Sequence, residues 1–238
     1  MIYHPFLRLI YKGLALVLLT YVIIVGLMST LPAVPGLEQS SRSLFFHLPM
    51  WFAMYLMMLL SMIWSIQYLR SGKLRHDTRA REAANIGIFF GVLGLLTGML
   101  WSRVTWGSAL RDTDPSAWWV WDPKQTLALI AVLIYVAYAV LRNSVEQYRK
   151  RAKIAAIYNI FAAASIFPLT YIIPRQLQSL HPGAEGANVD FSPEYRIVLY
   201  PAFLGFILLG LWLLELRVRQ SEVEETIEEE KPQPQAAN

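Results

Sequence analysis

A chain of 238 residues that is 55% hydrophobic and only 16% charged, with mean hydropathy +0.39, is too apolar for one or two soluble domains, in which charged residues make up roughly a quarter of the total. Its 21 Lys and Arg against 17 Asp and Glu leave a net charge of +4, but the cations cluster between uncharged apolar runs, so membrane topology accounts for them better than nucleic-acid binding does. No cysteine is present, which excludes thiol–disulfide chemistry, a disulfide framework and attachment of a prosthetic group through the chain's own thiols.

In chain order, spans are predicted at roughly 13–31, 47–69, 83–102, 125–141, 154–174 and 197–214, none of which contains Asp, Glu, Lys or Arg. Each is close to the length of about 20 residues that a helix needs to cross the hydrocarbon. Backbone amides in lipid must be satisfied within the segment, so these runs read as helices, and the alternation of a membrane barrel is absent. The first run has the length of a span and lacks a small-residue cleavage site, so it does not read as a signal peptide. The expected fold is therefore all-α: a polytopic integral membrane protein with a bundle of six transmembrane helices over residues 1–220, in contact with membrane lipid. Fifteen Lys and Arg fall before span one, between spans two and three, between four and five, and after six, and six fall in the other connections. The positive-inside rule then puts both termini in the cytoplasm and the loops at about 32–46, 103–124 and 175–196 outside. From Ser221 to Asn238 the sequence turns acidic and then Pro- and Gln-rich, which predicts a disordered cytoplasmic tail.

The middle outer loop carries the densest signal. Five of the chain's eight tryptophans lie between positions 101 and 121, ending in Trp118-Trp119-Val120-Trp121-Asp122-Pro123. Asp122 suits an N-cap, Pro123 the first helical position, and Gln125 the third residue of a capping box, so this stretch predicts the start of span four. Interfacial belts use indoles too; five in one loop and its edge exceed what a belt needs and suggest a surface for a flat apolar ligand. Of four histidines, His4 and His76 lie on the side rich in cations, whereas His47, opening span two, and His181, in the third outer loop, share the tryptophans' side. Each alone reads as a capping or interfacial histidine. Together, flanking an aromatic surface, they also read as paired axial ligands to a metal in a flat macrocycle.

Other chemistry has little support. No HExxH or CxxC zinc pattern, P-loop, GxSxG or GxGxxG occurs. No ionisable side chain lies mid-span, which speaks against a proton relay or an ion-coupled site. Arg42, Arg103, Arg111, Lys124, Arg175 and Arg196 are the outward cations; they read as interfacial snorkelling or as partners for a ligand's carboxylates. Pro168, Pro174 and Pro201 are expected to kink or end helices near the outer surface.

The residues Trp118-Trp119-Val120-Trp121-Asp122 resemble the tryptophan-rich "WWD" signature of heme-handling proteins in cytochrome c maturation. Phe46-His47-Leu48-Pro49 with Trp51 resembles that superfamily's His-Val-Pro segment, Thr97-Gly98, Trp101 and Trp106-Gly107 its lead-in, and Leu180-His181 its second histidine. The chain is most similar to the heme-handling C-subunit family (CcmC-like) of the system I pathway. The resemblance implies a protein of the bacterial cytoplasmic (inner) membrane that is not itself an enzyme. It would bind heme b transiently, as cargo, at its periplasmic face, with His47 and His181 as axial ligands and Trp106, Trp118, Trp119, Trp121 and Asp122 around the porphyrin. It would then present the heme to a periplasmic heme chaperone, together with ABC-transporter subunits. Two features depart from the pattern: ten residues, Ser108 through Ala117, separate Trp106-Gly107 from the Trp pair, and Trp121-Asp122-Pro123-Lys124-Gln125-Thr126 is close to the form in the system II synthase branch. A heme lyase of the same superfamily and a small-solute transporter are the alternative readings. The lack of a histidine deep in any span disfavours the former, and the lack of mid-span polar features the latter.

Overall fold

The computed structural model describes residues 5–32, 38–110, 118–182 and 191–230. Six α-helices run through them: α1 Pro5–Met28, α2 Leu44–Ser71, α3 Leu74–Leu110, α4 Pro123–Asn143, α5 Tyr148–Phe167 and α6 Pro193–Glu230. No strand occurs among the described residues. All six helices are long and apolar enough to cross a membrane, and the chain is an all-α, multi-pass membrane protein.

The helices outrun the charge-free windows of the sequence, and two expectations change as a result. α3, at 37 residues, reaches Leu110, so Arg103 and Trp106 sit on its last turns and not in a loop; residues 111–117 of the predicted Ser108–Ala117 protrusion lie outside the described residues. α6 does not stop where the composition turns acidic. It continues to Glu230, because Ser221 is buried and donates to Glu82 at 3.1 Å and Gln220 bonds Glu224 one turn on at 2.8 Å; residues 231–238 lie outside the described residues. The proline-rich end of α5 changes helix type: Pro168–Ile172 forms a π turn and Pro174–Gln176 a 3-10 turn, which redirects the chain towards His181.

Helices α2 and α3 form a tight antiparallel pair. Gly72 turns the chain between them at φ 65°, a left-handed conformation that costs glycine little. Along one face of α3 stand Gly87, Gly91, Gly94 and Gly98. A Cβ at these positions would lie 2.6 Å from Met58 Cε, 2.9 Å from Met54 Sδ, 2.9 Å from Trp51 Cε2 and 3.0 Å from His47 Cε1. This ladder of small residues lets α2 lay four large side chains flat on α3, the close approach that stabilises helix pairs in lipid. His47 is the last rung.

Polar ties lock the remaining helices. Asn159 of α5 donates to Ser61 and Ser65 of α2 at 2.6 and 2.8 Å and accepts from Tyr135 of α4 at 3.0 Å. The buried Arg142 of α4 meets Asp77 of α3 in a two-pronged contact, with Nη1 to Oδ1 at 2.8 Å. Glu215 of α6 pairs with Arg8 and Lys12 of α1, each at 3.5 Å, and accepts from Tyr11. The start of α1 and the later part of α6 are thereby held at one end of the bundle. The tryptophan stretch, His47 and His181 lie at the other.

Candidate site at the tryptophan-rich end

α4 begins as its sequence predicts. Asp122 is the N-cap (φ −75°, ψ 137°), and its carboxylate accepts from the N–H groups of Lys124 at 3.0 Å and Gln125 at 3.4 Å. The return half of the capping box is not made: among the described residues neither side-chain amide atom of Gln125 has a hydrogen-bond partner, although the residue is only 4% exposed.

The same carboxylate reaches across to the segment after α5. Ser179 Oγ donates to Asp122 Oδ2 at 2.7 Å and Leu180 N–H at 2.9 Å, while His181 Nδ1 lies 2.9 Å from Oδ1. Burial works against ionisation of Asp122, but the hydrogen bonds from His181, Ser179 and Leu180 outweigh it and hold the carboxyl well below its ordinary range. Burial likewise pushes the imidazole of His181 down, against the opposing pull of Asp122. An ionised carboxylate only accepts, so His181 donates its Nδ1–H and leaves Nε2 with a free lone pair. Trp101 and Trp106 box the ring in, at centroid distances of 5.7 and 4.7 Å.

His47 sits in the first turn of α2 and is held in a parallel way. Thr97 Oγ1 has one proton and donates it to Leu93 O (2.9 Å) or Gly94 O (3.0 Å). It therefore accepts from His47 Nδ1–H, 3.0 Å away, and Nε2 is again the free nitrogen. Trp51 meets the ring edge-on at 6.3 Å. Gly98, under His47, and Trp101, beside His181, are three residues apart on α3, about 4.5 Å along the axis. Two imidazoles that were distant in sequence thus pack within one turn of each other on α3, each with no hydrogen bond to Nε2 among the described residues.

The tryptophans divide. Trp101 and Trp106 are buried and touch His181. Trp118 is 55% exposed and lies under the Arg103 guanidinium at 4.2 Å, and Trp121 is 79% exposed and meets Trp119 edge-on at 5.9 Å. The structure therefore joins Trp106, Asp122 and His181, and brings His47 alongside. Trp118, Trp119 and Trp121 border α4's start, and among the described residues the ring contacts to His181 come from Trp101 and Trp106. Sequence reasoning grouped Asp122 with ligand-contacting residues; in the structure its two oxygens accept from five donors of the chain itself. It also left out Thr97, Trp101 and Ser179 as site residues. Thr97 and Trp101 lie in the lead-in to the tryptophan signature, but nothing local tells which histidine each meets.

The family model described as Heme exporter protein C matches residues 4–234. Among curated relatives, Heme exporter protein C of Paracoccus denitrificans is 31% identical over 191 residues, covering 75% of this chain and 71% of that protein. The Haemophilus influenzae protein of the same name is 27% identical over 227 residues, covering 91% and 85%. The match to the Escherichia coli K12 protein, also 27% identical, spans 57% of this chain and about half, 51%, of that protein.

Proposed function

The chain belongs to the Heme exporter protein C family, and from that premise we propose that it holds heme between His47 and His181 and hands it on during c-type cytochrome maturation. The observation that carries this reading is the pair of free Nε2 atoms on one face of α3. Among the described residues, no group of three or more His, Asp or Glu side chains could hold a metal ion. Two imidazoles with free Nε2 atoms suit an iron that brings its own equatorial nitrogens, as a porphyrin does. Trp106, Trp118, Trp119 and Trp121 supply aromatic surface to the macrocycle. Asp122 acts on His181 and not on the porphyrin: it fixes the tautomer and the ring's direction, the outer-shell carboxylate familiar from metal-ligating histidines.

The cargo in this reading is heme b, bound non-covalently and transiently, since the chain offers no cysteine to hold it. The protein is a handling component and not an enzyme. The cation asymmetry of the loops supports placing both termini in the cytoplasm of a bacterial inner membrane, with His47, His181 and the tryptophans at the periplasmic face. From there heme passes to a periplasmic heme chaperone, with ABC-transporter subunits assembled on the same protein and lipid surrounding α1–α6.

The test is a visible spectrum of the purified chain in detergent. We expect a low-spin, bis-imidazole Soret band that is lost in the His47→Ala/His181→Ala variant; an unchanged heme content in that variant sinks the ligand assignment. Changing Trp118, Trp119 and Trp121 together to Ala should lower heme retention with membrane insertion intact. A periplasm-active reporter should be active when fused near Asp112 and silent near Lys150; the reverse pattern overturns the orientation.

A further inference from the structure

One buried group at this end of the bundle has no task in that scheme. Gln125 is 4% exposed, and among the described residues neither its Oε1 nor its Nε2 has a partner. Buried amides are rarely left so, and an orphaned one calls for an absent partner.

Helical register says what it faces. The buried positions of α4 include Gln125, Ala128, Val132, Tyr135 and Tyr138, a stripe with the spacing of one helix face. Val132 on that stripe approaches α3 at Gly91, where a Cβ would lie 3.4 Å from Val132 Cγ2. The two helices run antiparallel. Seven residues back along α4 is Gln125; seven residues on along α3 is Gly98, the glycine under His47. By register, Gln125 thus stands at the level of Gly98 and His47, one turn below Asp122. One turn beyond Gly98 on the same face, the buried Trp101 Nε1–H is also without a partner among the described residues.

We propose that Gln125 is a cargo-recognition residue, donating its Nε2–H to a carboxylate of the porphyrin, with Trp101 Nε1–H as a second donor on the facing helix. The inference rests on the heme reading above. If the two histidines take both axial positions of the iron, the hydrogen-bonding groups left on the macrocycle's edge are its carboxylates. An indole N–H can only donate, so the missing partner on this side is an acceptor. Lys124, whose Nζ lies 3.5 Å from Pro182 O, adds a cation on the same turn, and α4's first turn favours negative charge.

The full chain, purified heme-free in detergent, is titrated with iron protoporphyrin IX and with its dimethyl ester, and both affinities are read from visible absorption. The wild type should bind the free acid about tenfold more tightly than the ester. Gln125→Leu should lose that preference by weakening the acid alone, and Gln125→Glu, setting carboxylate against carboxylate, should reverse it. Trp101→Phe should reduce the preference in part. Low-spin binding of the ester certifies that each variant is folded, and Gln125→Met serves if the Leu variant is not. An acid-to-ester ratio unchanged in Gln125→Leu, or equal losses for both porphyrins, overturns the proposal. If the wild type gives a bis-imidazole spectrum with neither porphyrin, the heme reading itself fails first and takes this one with it.

Discussion

His181 Nδ1 lies 2.9 Å from Asp122 Oδ1 while that same carboxylate caps α4 through Lys124 N–H and Gln125 N–H. One side chain thereby ties His181, in the third loop, to the helix that follows the tryptophan stretch. A carboxylate partner makes the imidazole a stronger electron donor and favours the oxidised iron. Asp122→Asn keeps an oxygen for capping but removes the charge. We expect it to raise the midpoint potential of bound heme and to weaken binding by about tenfold, measured by a redox titration of the Soret and α bands. An unchanged potential with unchanged affinity would show that Asp122 serves α4 alone.

The pH response of the heme-free protein has a defined sign. Asp122 is held below its ordinary value in the fold, so its stabilisation is present above the unfolded carboxyl's pKa and is lost as pH falls through the lower folded one. His181 is also lowered, so the unfolded chain takes up its proton first as pH drops below about 6.5, and folding is disfavoured from there downward. Thermal stability in detergent should therefore fall from just below neutrality towards acid, and His181→Gln should flatten the upper part of that decline. A stability that rises on acidification over that range contradicts the assignment.

On the other histidine, Thr97→Val removes the acceptor of His47 Nδ1–H, and Gly98→Ala places a Cβ 3.0 Å from His47 Cε1. Both changes should cost about tenfold in heme affinity and shift iron from low to high spin, with the protein still folded by circular dichroism. Retention of a full low-spin spectrum in both variants would mean that His47 does not depend on α3 for its direction.

At the opposite end, Asp77 and Arg142 are a buried pair 2% and 6% exposed at their side chains. Asp77→Ala leaves an unpaired buried guanidinium and should destabilise the fold by about 3–5 kcal/mol. Replacing both, as Asp77→Leu with Arg142→Met, should recover most of that loss. Detergent melting curves separate the cases; equal losses for the single and double variants would show that the pair's charge is not what matters.

The fold was largely legible because lipid imposes a simple rule: uncharged runs of the right length become helices, whatever they later pack against. Element ends were less so. The charged first turns of α3 and the acidic end of α6 looked non-helical until Asp77, Glu82 and Ser221 found partners on other helices. A span's length is a property of its own residues, whereas its ends depend on neighbours.

By itself the sequence determined the six helices, the concentration of indoles at one end, and the Asp122-Pro123 start of α4, all of which follow from local composition and capping chemistry. Only the tertiary structure decided the roles within the site. It gave Asp122 to His181 and Thr97 to His47, and among the described residues it left both Nε2 atoms and the Gln125 amide without hydrogen-bond partners. Such roles depend on hydrogen bonds between residues 50 or more positions apart, and those distances are set by a glycine ladder and helix register that no local pattern encodes.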